Sequence, residues 1–459
     1  MSQSRLKPRI PGGFRDYSPE EYSRRQWALE RISQVYKSFG FLLMDTSAVE
    51  YFETLAGGDE TSKQIFRIFN QTPDLTGESL ALRFDLTVSL ARFIAANRKS
   101  FTFPFKRYQM GEVWRGERQQ KGRFKQFLQF DADIVGTAHP AADAEIVILT
   151  AETMKALGIE NYTIKLNNRR ILNGFIRALG LKPDDVNPFL RILDKMDKVG
   201  WEGVKERLKA PKPAPVEIEA GAEGMGLGEE LSDKVKDFLI LPRGNWERLD
   251  AIKKMGKEWE GVIEGAEVIG EILRITTAGE VPGERIDFDP ALARGLDYYT
   301  GPVFETVLDD LPDLGSVMSG GRYDNLVERF SGESIPATGI SLGVDRLLVG
   351  LEEMGIAGNG GKSAKVMVTG VGLLEDPAEV VMQMARNLRS QGIIVELYLG
   401  DNRGVKKQMN YADRRNIRYC ILLGPEEMAR GVFQLKNMVS GEQQEFPQLK
   451  VAEIIMGLP

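Results

Sequence analysis

The sequence predicts a mixed α/β protein: an α+β domain built on an antiparallel sheet, a helical insertion within it, and a small α/β domain after it. Three observations predict this. Two strand-like runs, "FPFKRYQMGEVWRGE" (103–117) and "RFKQFLQFDADIVG" (123–136), flank a turn rich in Gly, Gln and Lys, the pattern of a long antiparallel hairpin. After about residue 168 the text becomes charged and helix-like, and strand-like text resumes near Glu284. Beyond "GIAGNGGKSA" (355–364), flexible by composition, strands and helices alternate, which implies a largely parallel sheet.

Taken in order, residues 20–39 place Trp27, Leu29 and Ile32, then Val35, Tyr36 and Phe39, at helical spacing, and Gly40 ends that helix. "FLLMDTSAVE" (41–50) reads as a strand, and helices are expected at 141–157 and 169–180 after the hairpin. The inserted segments, "NPFLRILDKMDKVGWEGVKERLKA" among them, flank a Pro-rich connector, "APKPAPVEIE". Strand text returns in "RIDFDPALARGLDYYTGPVFETVL" and runs on through "GSVMSGGRYDNLVERF" and the Gly-rich "PATGISLGVDRLL". The last domain reads as strand "KVMVTGVG", helix "DPAEVVMQMARNLRSQ", strand "IIVELYL", helix "GVKKQMNYADRRN" and strand "RYCILLG".

At 459 residues, 42% hydrophobic and 27% charged, the chain has the bulk of a multidomain globular protein. A net charge of -6 argues against a generally basic nucleic-acid coat, yet 106–125 carries +5 and 401–418 carries +4. A solvated face accounts for either run taken alone. The single cysteine, Cys420, excludes an intrachain disulfide framework and a cysteine-cluster zinc site, and its apolar run makes it a buried strand residue. The single histidine, His139, reads as a loop residue before a helix, which disfavours histidine-dependent catalysis. The N-terminal text lacks the apolar core of a signal peptide and no apolar run is long enough to span a membrane, so a cytoplasmic protein is expected.

Four segments carry chemistry. Arg115 and Arg123 flank a donor-rich turn suited to a polyphosphate, since guanidinium pairs bidentately with phosphate oxygens. If the second hairpin strand alternates, Phe127, Gln129, Asp131 and Asp133 share one face; a surface hairpin with charged edges is the plainer reading. Asp85 and Thr87 can receive an ammonium group, though Asp-Leu-Thr before a helix also serves as an N-cap. In "ARGLDYYTGPVFE" Arg294, Tyr298 and Tyr299 crowd donors and acceptors together, and two adjacent tyrosines cannot both face a core from one strand. In "GGRYDNLVERF" and "TGISLGVDRLL", Gly339 and Gly343 let a backbone approach closely and Arg346 opens an apolar helix.

Together these segments resemble the class II aminoacyl-tRNA synthetases, specifically the histidyl-tRNA synthetases, over essentially the full length. "RGLDYYTGPVFE" is similar to that family's histidine signature, "VWRGERQQKGRFKQFLQFD" to the second class II motif and "GISLGVDRLL" to the third. The resemblance implies a ligase that activates histidine with ATP, with Mg²⁺ bridging phosphates, and passes it to the 3′ end of its tRNA. It implies that Asp85, Thr87 and Gln129 hold the α-amino group, that Asp133 and Tyr299 bond the ring nitrogens, and that Tyr298 lines the wall. Arg115 and Arg294 would contact the α-phosphate as the catalytic pair, Arg123 the distal phosphates, Arg346 the nucleotide and Glu117 the adenine side. It further implies tRNA contacts from Gln119, Gln120 and Lys121 at the hairpin tip and from Arg403, Lys406, Lys407, Arg414, Arg415 and Arg418, with Tyr411 either stacking a base or packing in the core, and a homodimer.

The expected domains are a catalytic domain over 1–167 and 281–354, an inserted module over 168–280, a linker over 355–364 and an anticodon-binding domain over 365–459. The sequence departs from the family pattern at Ser47, where the first motif usually has proline, at Gln119 for proline, at Leu128 for histidine and at Asp133 for the longer glutamate of many members. Three other readings compete: a regulatory subunit of ATP phosphoribosyltransferase, a threonyl or prolyl synthetase, and a plain RNA-binding module. The intact histidine signature and C-terminal domain speak against the first, and "RGLDYYTG" against the second. The arginines, set where an ATP site would place them, speak against the third.

Overall fold

The computed structural model describes residues 7–57, 59–69, 79–117, 121–193, 195–212, 224–292, 298–356, 366–370, 377–399 and 404–458. The chain divides into two compact units, Met1–Gly358 and Asn359–Pro459.

The first unit is organised by an eight-stranded sheet. The expected hairpin is its centre: Phe105–Trp114 and Gln126–Val135 pair antiparallel from Phe105↔Val135 to Trp114↔Gln126. Ala337–Gly343, Met318–Tyr323, Pro302–Leu308 and Tyr162–Asn168 continue the antiparallel order, while Leu42–Leu43 and Ile286–Phe288 pair parallel at the two edges. Side-chain alternation gives this sheet two chemically different faces. Leu128, Phe130, Ala132 and Ile134 enter the apolar core, whereas Gln129, Asp131 and Asp133 occupy the opposite face with Arg107 and Gln109. A one-residue slip would exchange the two sets, so burial of one face fixes the register.

Helix Pro19–Ser38 packs into that core. Ser18 and Glu21 form a capping box, Pro19 occupies its first turn, and Ala28, Ile32 and Tyr36 repeat at four-residue spacing on the buried side. Helix Pro140–Ala156 begins at His139, whose Nδ1 accepts from the Ala141 N–H at 3.1 Å, so the lone histidine is an N-cap and not an idle loop residue. Strand Tyr162–Asn168 is absent from the sequence reading. The helices from Arg169–Ala178 to Val262–Ala278 bury their apolar sides in the same core; Phe175 and Phe238 stack there with centroids 3.9 Å apart.

The second unit carries a five-stranded sheet. Val366–Gly370 pairs parallel with Val395–Leu397 and with Tyr419–Leu423, as expected. Val432–Asn437 and Gln443–Pro447 extend it antiparallel, beyond the alternation read from the sequence. Cys420 is fully buried in its strand, and burial raises its thiol pKa to about 12. Among the described residues no helix is long and apolar enough to cross a membrane.

Candidate active site

The polar face of the sheet floors a cavity of about 290 Å³. Its side chains come in rows set by strand register. Arg107, Asp133, Gly339, Gly321 and Val303 stand opposite one another across five strands, and Gln109, Asp131, Ser341, Ser319 and Glu305 form the next row. One end of the cavity is lined by carboxylates and phenols, the other by arginines.

At the first end, the Asp133 carboxylate is 2% exposed. Its Oδ1 accepts from the Tyr323 hydroxyl at 2.5 Å and its Oδ2 lies 2.7 Å from Arg107 Nη2. Burial pushes the Asp133 carboxyl above the usual carboxylate range, opposed by the Arg107 charge and the Tyr323 hydrogen bond. Asp131, beside it, is raised to about 7, chiefly by burial. Gly339 makes room for this arrangement: a Cβ there would sit 2.0 Å from Asp133 Oδ1. Gly320 approaches the neighbouring strand as closely, with its Cβ position 2.0 Å from the Gly339 carbonyl oxygen. Gly343 does not share that role, because nothing lies nearer to its Cβ position than Arg346 Cβ at 4.0 Å.

Asp85 supports the helix that follows it and also lines the cavity. Its Oδ1 accepts from the Val88 N–H at 2.9 Å, capping the first turn of Thr87–Asn97, and the same buried carboxylate lines the cavity. Burial raises its pKa, with Val88 and Arg115 pulling the other way. Thr87 shares a hydrogen bond with Tyr298. Tyr298 and Tyr299 lie before the strand that starts at Pro302, so strand alternation does not separate them. Both line the cavity, their rings edge-to-face at 5.0 Å, and Tyr298 meets Tyr323 at 5.8 Å. Gln129 donates from Nε2 to Ser341 Oγ at 2.9 Å.

At the other end Arg115, Arg123 and Arg346 converge on a single glutamate, Glu117. Arg115 and Arg123 stand 3.9 and 3.6 Å from its carboxylate. Arg115 is held by its Nε, which donates to the Phe84 carbonyl at 3.1 Å, and by the rings of Phe84 and Phe127 at 4.5 and 5.2 Å. Arg346 donates to the Ser316 carbonyl. Burial, reinforced by Arg123, lowers its pKa to about 10. An excess of cation in a half-enclosed site favours a polyanion. Asp345, next in sequence, accepts from the Leu128 N–H at 2.8 Å and from the Tyr17 hydroxyl, locking helix Val344–Glu353 to the hairpin and to the N-terminal segment.

Arg294, Gln119, Gln120 and Arg403 lie outside the described residues. Lys121 is exposed and paired with Glu353 at 2.6 Å. In the second unit Lys406, Lys407, Arg414, Arg415 and Arg418 are exposed, and Arg415 pairs with Glu396 at 3.4 Å. Tyr411 packs: it donates to Glu396 Oε1 at 2.8 Å and meets the Tyr398 ring edge-on. Sequence reasoning missed Arg107, which it counted within the +5 surface run although the side chain is wholly buried, and it missed Tyr323 and Asp345. Counting alternate positions back along the first hairpin strand would have placed Arg107 on the Asp133 face.

A family model described as histidyl-tRNA synthetase matches residues 13–347, and one described as an anticodon binding domain matches residues 365–458. A histidine–tRNA ligase of Paracoccus denitrificans is 42% identical over 96% of this chain and 92% of its own length. That of Clostridium tetani is 37% identical over 99% of each. The crystal structure of histidyl-tRNA synthetase from a Nostoc species superposes with a TM-score of 0.81 at 32% identity, covering 98% of this chain and 99% of that one. The chain belongs to the histidyl-tRNA synthetase family.

Proposed function

We propose that the cavity binds histidine at its carboxylate end and ATP at its arginine end, so that the histidine carboxylate meets the α-phosphate between them. The protein is an aminoacyl-tRNA ligase; its family's reaction activates histidine with ATP to the adenylate and then transfers histidine to tRNA. Asp85, Thr87 and Gln129 hold the α-amino group, Asp133 and Tyr299 bond the ring nitrogens and Tyr298 walls the pocket. Arg115, with Arg294, neutralises the α-phosphate, Arg123 and Arg346 hold the rest of the nucleotide, and Glu117 orients the arginines as well as addressing the adenine side. No side chain acts as nucleophile: the histidine carboxylate attacks the α-phosphorus, pyrophosphate leaves, and positioning and charge neutralisation suffice for this adenylyl transfer. Glu305 on the cavity floor would offer an oxygen donor to a Mg²⁺ ion arriving with the nucleotide, and the ion would supply charge neutralisation to the phosphates.

The observation that carries this reading is the opposition of charge within one cavity, three arginines facing a buried carboxylate cluster. It is tested by ATP–pyrophosphate exchange against a panel of amino acids. Exchange with histidine alone is expected; exchange with another amino acid, or none from folded protein that binds histidine, overturns the assignment.

In this reading catalysis comes from 1–167 and 281–354, with 168–280 as an inserted module, a 355–364 linker and anticodon recognition from 365–459. Lys406, Lys407, Arg414, Arg415 and Arg418, with Arg403, form the anticodon-arm face, and Gln119, Gln120 and Lys121 meet the acceptor end. The protein works as a cytoplasmic homodimer. Leu42, Leu43, Val49 and Tyr51 support a subunit contact, being 61%, 59%, 38% and 44% exposed on short edge strands. Between them, Ser47 Oγ donates to the Val49 carbonyl at 2.7 Å and accepts from its N–H at 3.2 Å, setting by hydrogen bonding a turn that the family's proline would set by its ring. Leu43→Glu is expected to convert the dimer to monomer in sedimentation; a wild-type chain that sediments as a monomer defeats the proposal.

A further inference from the structure

We propose that Arg107 is a positioning residue that fixes Asp133 as a hydrogen-bond acceptor, so that this end of the pocket reads an N–H of the ligand's ring and rejects a ring that offers only a lone pair there. The inference rests on the reading that Asp133 faces the imidazole. Arg107 lies directly opposite Asp133 across the hairpin and is 0% exposed. Its Nη2 is 2.7 Å from Asp133 Oδ2, and its Nη1 donates to Gln109 Oε1 at 3.2 Å. Gln109 is itself fixed, donating from Nε2 to Asp45 Oδ1 at 2.8 Å and to Thr46 Oγ1 at 3.0 Å. The guanidinium is therefore oriented from behind before any ligand arrives.

Chemistry then decides what Asp133 can do. An ionised carboxylate only accepts hydrogen bonds, whereas a protonated one also donates. Tyr323 already donates to Oδ1, while Oδ2 has no hydrogen-bond donor among the described residues, only the Arg107 charge beside it. The groups acting on the pair are Asp131 on the same strand, Asp85 from the loop over the sheet, Tyr299 before its strand, Tyr323, and Tyr36 from the N-terminal helix. Three buried carboxylates thus surround one buried cation. Arginine keeps its proton under all working conditions, so its charge beside Oδ2 favours the anionic form of Asp133 in opposition to burial. With the cation removed, burial and the neighbouring carboxylates would favour a proton on Asp133, and the acceptor would become a donor.

The test is exchange kinetics of R107M, R107K, D133N and the double variant R107M/D133N, read as KM for histidine between about pH 6 and pH 9. R107M is expected to raise KM for histidine by about tenfold or more with KM for ATP unchanged. The ratio of its KM to that of the wild type, in which the ligand's own titration cancels, should fall as pH rises and Asp133 recovers its charge. R107K should restore much of the loss, and the double variant should be no worse than D133N alone. A pH-independent ratio, or losses that multiply in the double variant, would overturn the role assigned to Arg107. A D133N enzyme with unchanged KM for histidine would instead sink the reading of Asp133 itself.

Discussion

Arg115→Ala is expected to slow histidine-dependent ATP–pyrophosphate exchange by about a thousandfold, the scale of removing one preorganised charge donor from a transition state. The reason lies in how the side chain is held. Its Nε bond to the Phe84 carbonyl and its place over the Phe84 and Phe127 rings order the guanidinium in the free protein. Binding ATP then requires little further ordering, and the cation can act where charge develops on the transferring phosphorus. The loss should fall on kcat more than on KM for histidine, because Arg115 stands at the far end of the cavity from Asp133. Arg115→Lys keeps the charge but not the planar fork, and should recover only part of the rate. A loss below tenfold at saturating ATP would remove Arg115 from the phosphate end. Stability should change by about 1 kcal/mol, one hydrogen bond at a partly exposed site, so a melting curve separates misfolding from lost chemistry.

Gly339→Ala should raise KM for histidine about a hundredfold, by the physics of overpacking and of a buried polar group turned away from its partners. The added methyl would stand 2.0 Å from Asp133 Oδ1 and 2.8 Å from the Ala132 carbonyl oxygen. Neither strand can retreat, because Gly339 is paired on one side with Asp133 and on the other with Gly321. The carboxylate has to rotate and lose Tyr323, Arg107 or both. Gly343→Ala is the control four residues along the same strand, where the new methyl meets ordinary contact distances. The two variants behaving alike would mean that strand flexibility, not the Asp133 carboxylate, is what the glycine protects.

Much of the site was legible because the hairpin obeys a strict period. Once Gln126–Val135 is taken as a strand, Gln129, Asp131 and Asp133 must share a face, and they do. Arg107 was not legible from charge counting, because a count along the chain cannot tell a solvated cation from one whose partner is supplied by another strand. The pairing Arg107↔Asp133 is a fact of register. The tyrosine pair resisted the same logic for the opposite reason: Tyr298 and Tyr299 sit in irregular chain, where no period applies. Strand Tyr162–Asn168 was not read from the sequence, which was followed there only as a change of character after about residue 168. In the fold Asn167 Nδ2 donates to the carbonyls of Pro290 and Leu292 at 3.1 and 3.0 Å, anchoring the chain that leads into the histidine signature. The arginine end was legible as a set of cations but not as a balance, for nothing in the spacing says that one glutamate lies between two of them.

The place of His139 has a practical side. As an N-cap it does what asparagine, aspartate or serine does at least as well, so its exchange for asparagine should cost little. The resulting chain would contain no histidine whatever. In such a protein every imidazole resonance in a magnetic-resonance spectrum belongs to the bound amino acid. Isotope-labelled histidine would then report its own tautomer and charge from inside the pocket, with no background from the enzyme that recognises it.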